Sequence, residues 1–185
     1  MNVRTLCLAV LNCKEATGYE IRKLVTDGHF SHFVDASFGS IYPALARMES
    51  DGLVSSREEF QTGRPTRKVY EITDAGRAEF IEALHKPTQP DIFKSEFLLL
   101  AMFAEYVSRE QVVSAIDAQA DFLRSEIATI EEARQTVDLT GADFVAGYGR
   151  HCLSASLDYL NAHRAELEAI AGTSLNNGDG LIAAE

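Results

Sequence analysis

The chain reads as a mainly α, α+β protein: an N-terminal winged helix-turn-helix domain followed by a C-terminal helical dimerisation domain. Three observations predict this. Residues 1–86 run helix, helix, helix, strand, strand, helix, which is the winged helix-turn-helix order. Between the two strands lies QTGRPT, a turn of hairpin-tip length, with Arg64, Arg67 and Lys68 clustered around it. Beyond residue 90, apolar residues recur at helical spacing over two segments long enough for helices of about 28 residues each.

Within the first domain, Leu6, Ala9, Val10 and Cys13 follow the i, i+3, i+4, i+7 pattern of an amphipathic helix. TGYE at 17–20 is a capping box: Thr17 caps a free amide while Glu20 reaches back to the cap residue. Ile21, Leu24 and Val25 supply the apolar face of that second helix, and Gly28 is its expected stop. The third helix begins between Ser37 and Ser40 and runs to about Ser50, with Phe38, Ile41, Leu45 and Met48 facing inward. Pro43 is tolerable only in the first turn, which favours a start near Ser40. Gly39, Ser40, Pro43, Arg47 and Ser50 then share the outward face, with Tyr42 at its boundary. Asp51 and Gly52 end the helix. Strands are expected at 53–60 and 67–73, and Thr73 with Asp74 caps a fourth helix reaching Leu84.

Pro87 and Pro90 close this domain, so 1–86 and 91–171 are expected as separate units, with the Gly- and Asn-rich 172–185 as a flexible tail. Residues 93–106 are apolar nearly all round and are expected to be buried. SREQ at 108–111 is a second capping box and opens a long helix. In it Ile116, Ala120, Leu123, Ile127 and Ile130 form a seam of period 3.5. The last helix carries Phe144, Tyr148, Cys152, Ala155, Tyr159, Leu167 and Ile170 at similar spacing. Two helices of about 42 Å exceed the ~26 Å diameter of a 100-residue domain. The expected outcome is therefore a homodimer built through Leu123, Ile127, Ile130, Phe144, Tyr148, Cys152, Tyr159 and Leu167, in preference to a monomeric helical hairpin.

The formal charge is −11, which by itself argues against nucleic acid. Its distribution does not. Residues 1–86 hold 11 Lys/Arg and 12 Asp/Glu, whereas 87–185 hold 6 and 16. The acidity sits in the second half and the cation cluster in the first. Cys7, Cys13 and Cys152 are odd in number and form no CxxC, so neither a disulfide framework nor a zinc site is expected. No metal and no cofactor are predicted. GxSxG, HExxH, the P-loop and GxGxxG are all missing, which argues against an enzyme. No apolar run approaches the ~18 residues of a membrane span. Residues 1–13 weakly resemble a signal peptide, but Lys14 and Glu15 follow without a small-residue cleavage site. A cytoplasmic protein is expected.

Three motifs, GYEI (18–21), GSIYPALARMESDGLV (39–54) and GRPTRKVYEIT (63–73), resemble the PadR-family transcriptional regulators in order and in register. The segment after residue 93 extends the likeness to the family's larger members, which carry a long helical C-terminal domain. The resemblance implies a homodimeric winged-helix repressor whose C-terminal helices form the dimer and shape an effector pocket. By position it implies a recognition helix presenting Ser40, Tyr42, Pro43 and Arg47 to DNA, and a wing of Arg64, Thr66, Arg67 and Lys68. The chain departs from the pattern at Glu58 and Glu59, an acidic pair just before the wing tip that either weakens phosphate contact or sits on the solvent face.

An Arg at position 47 can bond a guanine edge bidentately, or pair instead with Glu49 or Asp51. The wing cations can contact phosphates and enter a narrow minor groove, or be solvated turn residues. Tyr42 reads equally as packing and as a phosphate donor. Tyr19 and Ser37, near helix starts, are further candidate phosphate contacts. Phe93, Phe97 and Tyr106 are the candidate effector-pocket residues, although such aromatics are more often core. Two functions stand. One is a ligand-responsive repressor binding double-stranded DNA at a near-palindromic operator, with half-sites about 34 Å apart. The other is a winged-helix protein-interaction module without a DNA role, which the net acidity favours.

Overall fold

The computed structural model describes residues 1–26, 28, 30–33, 38–61, 64–136 and 139–176. The chain divides into two compact units, Met1–Asp91 and a second from Ile92 onward.

The first unit opens with α1 (Val3–Cys13), started by Asn2, whose side-chain oxygen accepts from the Thr5 amide at 3.1 Å. Leu6, Cys7, Leu8, Val10 and Leu11 are all buried, so α1 runs through the core. A two-residue strand β1 (Ala16–Thr17) leads into α2 (Gly18–Thr26). The capping box forms as expected: Glu20 accepts the Thr17 amide at 2.8 Å, and Thr17 Oγ1 accepts the Glu20 amide at 3.2 Å. A 3-10 turn at Phe38–Ser40 precedes α3 (Ile41–Ser50), placing Pro43 in the first turn. Ile41, Leu45 and Met48 are fully buried, as the spacing requires; the Phe38 side chain is outside the described set.

Gly52, at φ 74°, turns the chain into β2 (Val54–Gln61), which pairs antiparallel with β3 (Arg64–Ile72). The sheet order is β1-β3-β2. Here the structure corrects the expected boundaries. β3 begins at Arg64, so Arg64, Pro65 and Thr66 are strand residues and not turn residues. Pro65 argued against a strand, yet β1 pairs only with Val69 and Tyr70, leaving β3 an open edge near Pro65 where a proline is tolerated. β1 itself, two residues long, carries no periodicity to read.

Thr73 caps α4 (Asp74–Leu84) by accepting the Gly76 amide at 3.1 Å. Gly76 sits where a Cβ would lie 2.1 Å from the Leu53 carbonyl oxygen, so only glycine lets α4 approach the start of β2. Arg4 ties the ends together: it holds Glu79 of α4 with two bonds of 2.6 and 2.9 Å, and Asp51 at the end of α3 at 2.7 Å.

The second unit contains α5 (Glu96–Met102), a 3-10 turn at Ala104–Tyr106, α6 (Arg109–Thr136), α7 (Ala142–Ile170) and α8 (Thr173–Asn176). The Ser108–Gln111 box forms, Ser108 Oγ accepting the Gln111 amide at 3.3 Å. α6 and α7 pack on each other, and this changes two expectations. The α6 seam is consumed inside the chain: Ile116 and Leu123 are 1% and 5% exposed. Leu167 packs against the same cluster, and Ile130 faces Gly149 of α7. Leu123 is thus a core residue of the hairpin, Leu167 packs half-buried against it, and Ile127 and Ile130 are half-buried along the same seam. A hairpin brings the two apolar faces together without a second chain.

The second change concerns residues 93–106. Only Ala104 is buried; Phe93, Leu99, Met102, Phe103 and Tyr106 are exposed. A helix as short as α5 can set one side against α6, and the rest of its apolar surface finds no cover among the described residues. The start of the expected flexible tail also differs. Thr173–Asn176 is helical, and Ser174 donates to Glu105 at 2.8 Å. Residues 177–185 lie outside the described residues.

Candidate nucleic-acid interface

The outward face of α3 is slim. Tyr42, Pro43, Ala46, Arg47 and Ser50 are exposed while Ile41, Leu45 and Met48 anchor the opposite side. Ser40 ends the preceding 3-10 turn and is half-buried. The Tyr42 ring lies over Gly18 at the start of α2, where a Cβ would meet Cε1 at 2.9 Å. Tyr42 is thus both packing and surface, with 48% of it exposed.

Arg47 is exposed, and its guanidinium carries no ion pair among the described residues. The two acids that could have taken it are occupied. Asp51 holds Arg4, and Glu49 holds Lys68 Nζ at 2.6 Å. Tyr19, at the start of α2, is exposed and has the Arg22 guanidinium 5.0 Å from its ring centre. Ser37 lies outside the described residues.

The wing is organised differently. Arg67 and Lys68 are consecutive in β3 and so point to opposite faces of the hairpin. On one face Arg67 donates twice to Glu59 Oε2, at 2.9 and 2.7 Å, across the Glu59–Arg67 register pair. Glu59 also accepts from Arg57 at 3.0 Å, and Arg57 makes two bonds of 2.7 Å to Glu15. On the other face Lys68 joins Glu49 of α3, with the Tyr70 ring centre 5.2 Å away; Glu49 also accepts from Ser56 Oγ. Thr66 is exposed, and of Arg64 only the backbone in β3 is described.

These pairs bias the ionisation of the acids. The Arg67 guanidinium, then Arg57, hold Glu59 below the usual carboxylate range. Lys68, then Ser56, do the same for Glu49, and Arg57 does it for Glu15. Lys68 is raised in turn by Glu49. All three acids are charged at neutral pH, so the wing cations stand beside permanent countercharges.

Sequence reasoning found the cations and missed their partners. Glu59 was visible as a departure from pattern, and cross-strand register could have suggested Arg67. Glu15 and Glu49 lie 42 and 19 residues from the cations they pair with, and no local signal joins them.

A groove lies wholly within the second unit, with a volume of about 950 Å³. Phe93 and Phe97 line it together with Phe122, Leu153, Tyr159 and Leu160; Tyr106 does not.

A slim-faced helix buttressed by two others, with a β-hairpin wing linked to it through Lys68 and Glu49, defines the winged helix-turn-helix class. The transcriptional regulator PadR-like family matches residues 7–82. The PadR-like transcriptional regulator BC1756 from Bacillus cereus is 30% identical, with a TM-score of 0.75 over 91% of this chain and 99% of that one. The chain belongs to the PadR family of transcriptional regulators. The Negative transcriptional regulator PadR of Bacillus subtilis (strain 168) is 27% identical over 126 residues, 67% of this chain and 68% of that protein. Bacillus subtilis PadR in complex with operator DNA shares the fold, with a TM-score of 0.70 at 22% identity, covering 89% of this chain and 98% of that one. Its complex with p-coumaric acid does so at 0.64 and 21%, covering 90% and 99%. No helix among the described residues is long and apolar enough to cross a membrane.

Proposed function

We propose that this protein is a cytoplasmic, homodimeric, sequence-specific DNA-binding regulator that acts as a ligand-responsive repressor on a near-palindromic operator. The observation that carries the DNA reading is the exposed Arg47 on the outward face of α3, which has no ion pair among the described residues. It leaves five N–H donors available to a base edge, and its neighbours Pro43, Ala46 and Ser50 on that face are small. Ser40, Tyr42 and Pro43 form the rest of that face. Arg67, Lys68, Thr66 and Arg64 act from the wing on backbone phosphates, and Tyr19 is placed near a helix start to do the same.

The dimer reading is supported by α7, which has two apolar stripes. Leu153, Leu157, Leu160 and Leu167 meet the hairpin core. Phe144, Tyr148, Cys152 and Tyr159 lie on a second stripe, whose three aromatics are 79%, 60% and 68% exposed, Tyr159 also lining the groove. Aromatic surface of that extent marks an interaction site, and a second copy would present the same stripe to it. Two wings then address half-sites about one turn, ~34 Å, apart. The repressor reading follows the name of the Bacillus subtilis relative. The effector reading rests on the groove lined by Phe93 and Phe97 and on the p-coumaric acid complex of Bacillus subtilis PadR. A ligand there acts by favouring one arrangement of the two wings over another.

The test is a titration of the full-length protein against its own upstream promoter fragment and a random duplex, each at two salt concentrations. The wild type should prefer the promoter. Arg47→Ala should cost about 1–3 kcal/mol at the promoter and far less on random DNA. Equal wild-type affinity for both fragments would overturn the reading.

A further inference from the structure

We infer that Glu49 and Glu59 are specificity-determining residues of the DNA-binding surface, holding the wing cations on protein carboxylates so that the wing adds little affinity for arbitrary DNA. The inference rests on the DNA-binding reading above and concerns a part of the surface that reading leaves open: what keeps a basic finger from binding every duplex.

The geometry separates two kinds of cation. Arg47 on α3 has no carboxylate partner among the described residues, whereas Arg67 and Lys68 each have one, on opposite faces of the hairpin. Sequence-independent affinity comes from cations that neutralise phosphates and release their counterions. A cation already paired with a protein carboxylate cannot neutralise a phosphate, and so cannot release the counterion condensed on it, until that phosphate displaces the acid. Glu59 covers Arg67 through two hydrogen bonds and also meets Arg57, so leaving it unpaired disturbs both cations. Glu49 is on α3 itself, two residues after Arg47 and on a nearly opposite side of the helix, and joins helix to wing through Lys68.

These pairs are exposed on both sides, with side chains 31–46% accessible, so water screens them and they open readily. Displacement is therefore feasible when a phosphate is held in place. Seating α3 on its proper bases supplies that placement, and a mismatched duplex does not. The acids tax random DNA at every encounter, while at the operator the contacts of α3 offset them. Discrimination arises from a repulsive element beside an attractive one.

The experiment measures affinity for the promoter fragment and for a random duplex across 50–200 mM salt, for the full-length wild type, Glu59→Gln, Glu49→Gln and Glu110→Gln. The last removes the same charge from the exposed start of α6, in the other unit. Thermal melting accompanies each variant. Glu59→Gln and Glu49→Gln should bind random DNA several-fold more tightly at low salt, with the promoter-to-random ratio falling. Each freed cation should steepen the log–log salt slope by about 0.9. Glu49→Gln also loses a tie within the fold, so Glu59→Gln carries the decision if Glu49→Gln melts early. Unchanged slopes, equal gains on both fragments, or the same gain in Glu110→Gln would overturn the inference while leaving the DNA reading intact. A wild type that does not prefer its promoter would remove both.

Discussion

The two units solve the same burial problem to different degrees. The N-terminal unit closes its own core: α1, α2, α3 and the sheet bury Leu8, Ile21, Ile41, Leu45 and Met48 almost completely. The C-terminal unit does not. Its hairpin buries Val112, Ile116, Ala120 and Leu123, yet leaves Leu99, Met102, Phe144, Tyr148 and Tyr159 facing outward. Helices packed around a sheet give most inward stripes a neighbour, although Phe60, Ile81 and Leu84 stay exposed. Two long helices and a short one have an inside for only one stripe each. The first unit encloses a core of its own; the second leaves more of its apolar surface exposed.

Thiol reactivity should expose the contrast most strongly. Cys7 lies in the closed core, and burial pushes its thiol up to about 12 from an ordinary 9.0, so at pH 8 the reactive thiolate is about a thousandfold scarcer than in an unshifted thiol. Cys152 lies on the open stripe of α7. Alkylation at pH 8 followed by mass spectrometry should label the exposed Cys13 and, in dilute protein, Cys152, and leave Cys7 unmodified until the protein unfolds. Protection of Cys152 that grows with protein concentration would report the second copy. Labelling of Cys7 in the native protein would break the description of a closed core.

Truncation comes next. Leu45→Ala should cost about 2–5 kcal/mol of N-terminal stability by urea melting, because the site is fully enclosed. A loss below about 1 kcal/mol would mean that the α3 core is loosely packed. Smaller in its effect on the subunit's own fold is Tyr148→Glu. It should leave the far-ultraviolet circular dichroism of a subunit unchanged and weaken self-association by about 2 kcal/mol or more, read by sedimentation. If the variant sediments like the wild type at all concentrations, the outward stripe of α7 is not where copies meet.

Legibility followed the range of the interactions. The Thr17–Glu20 box, the Thr73 cap and the start of α3 near Ser40 were readable because each depends on residues three or four positions apart. β3 was read too short because Pro65 signals a break locally, and only the reach of β1 shows that its edge is open there. In the candidate site, the α3 face of Ser40, Pro43 and Arg47 followed from helical angle alone. The pairing of Arg67 and Lys68 did not, since it needs strand register and the approach of α3 to the sheet.

By itself the sequence determined the element order, the caps, the inward stripe of α3 and the presence of two long apolar helices, all set by periodicity and neighbouring chemistry. The tertiary structure alone decided which stripe of α7 turns inward. It also decided that Arg67 and Lys68 meet carboxylates while Arg47 meets none among the described residues. Those outcomes depend on contacts between residues far apart in the chain, such as Arg57 and Glu15 at a separation of 42, and such contacts exist only once the chain has folded.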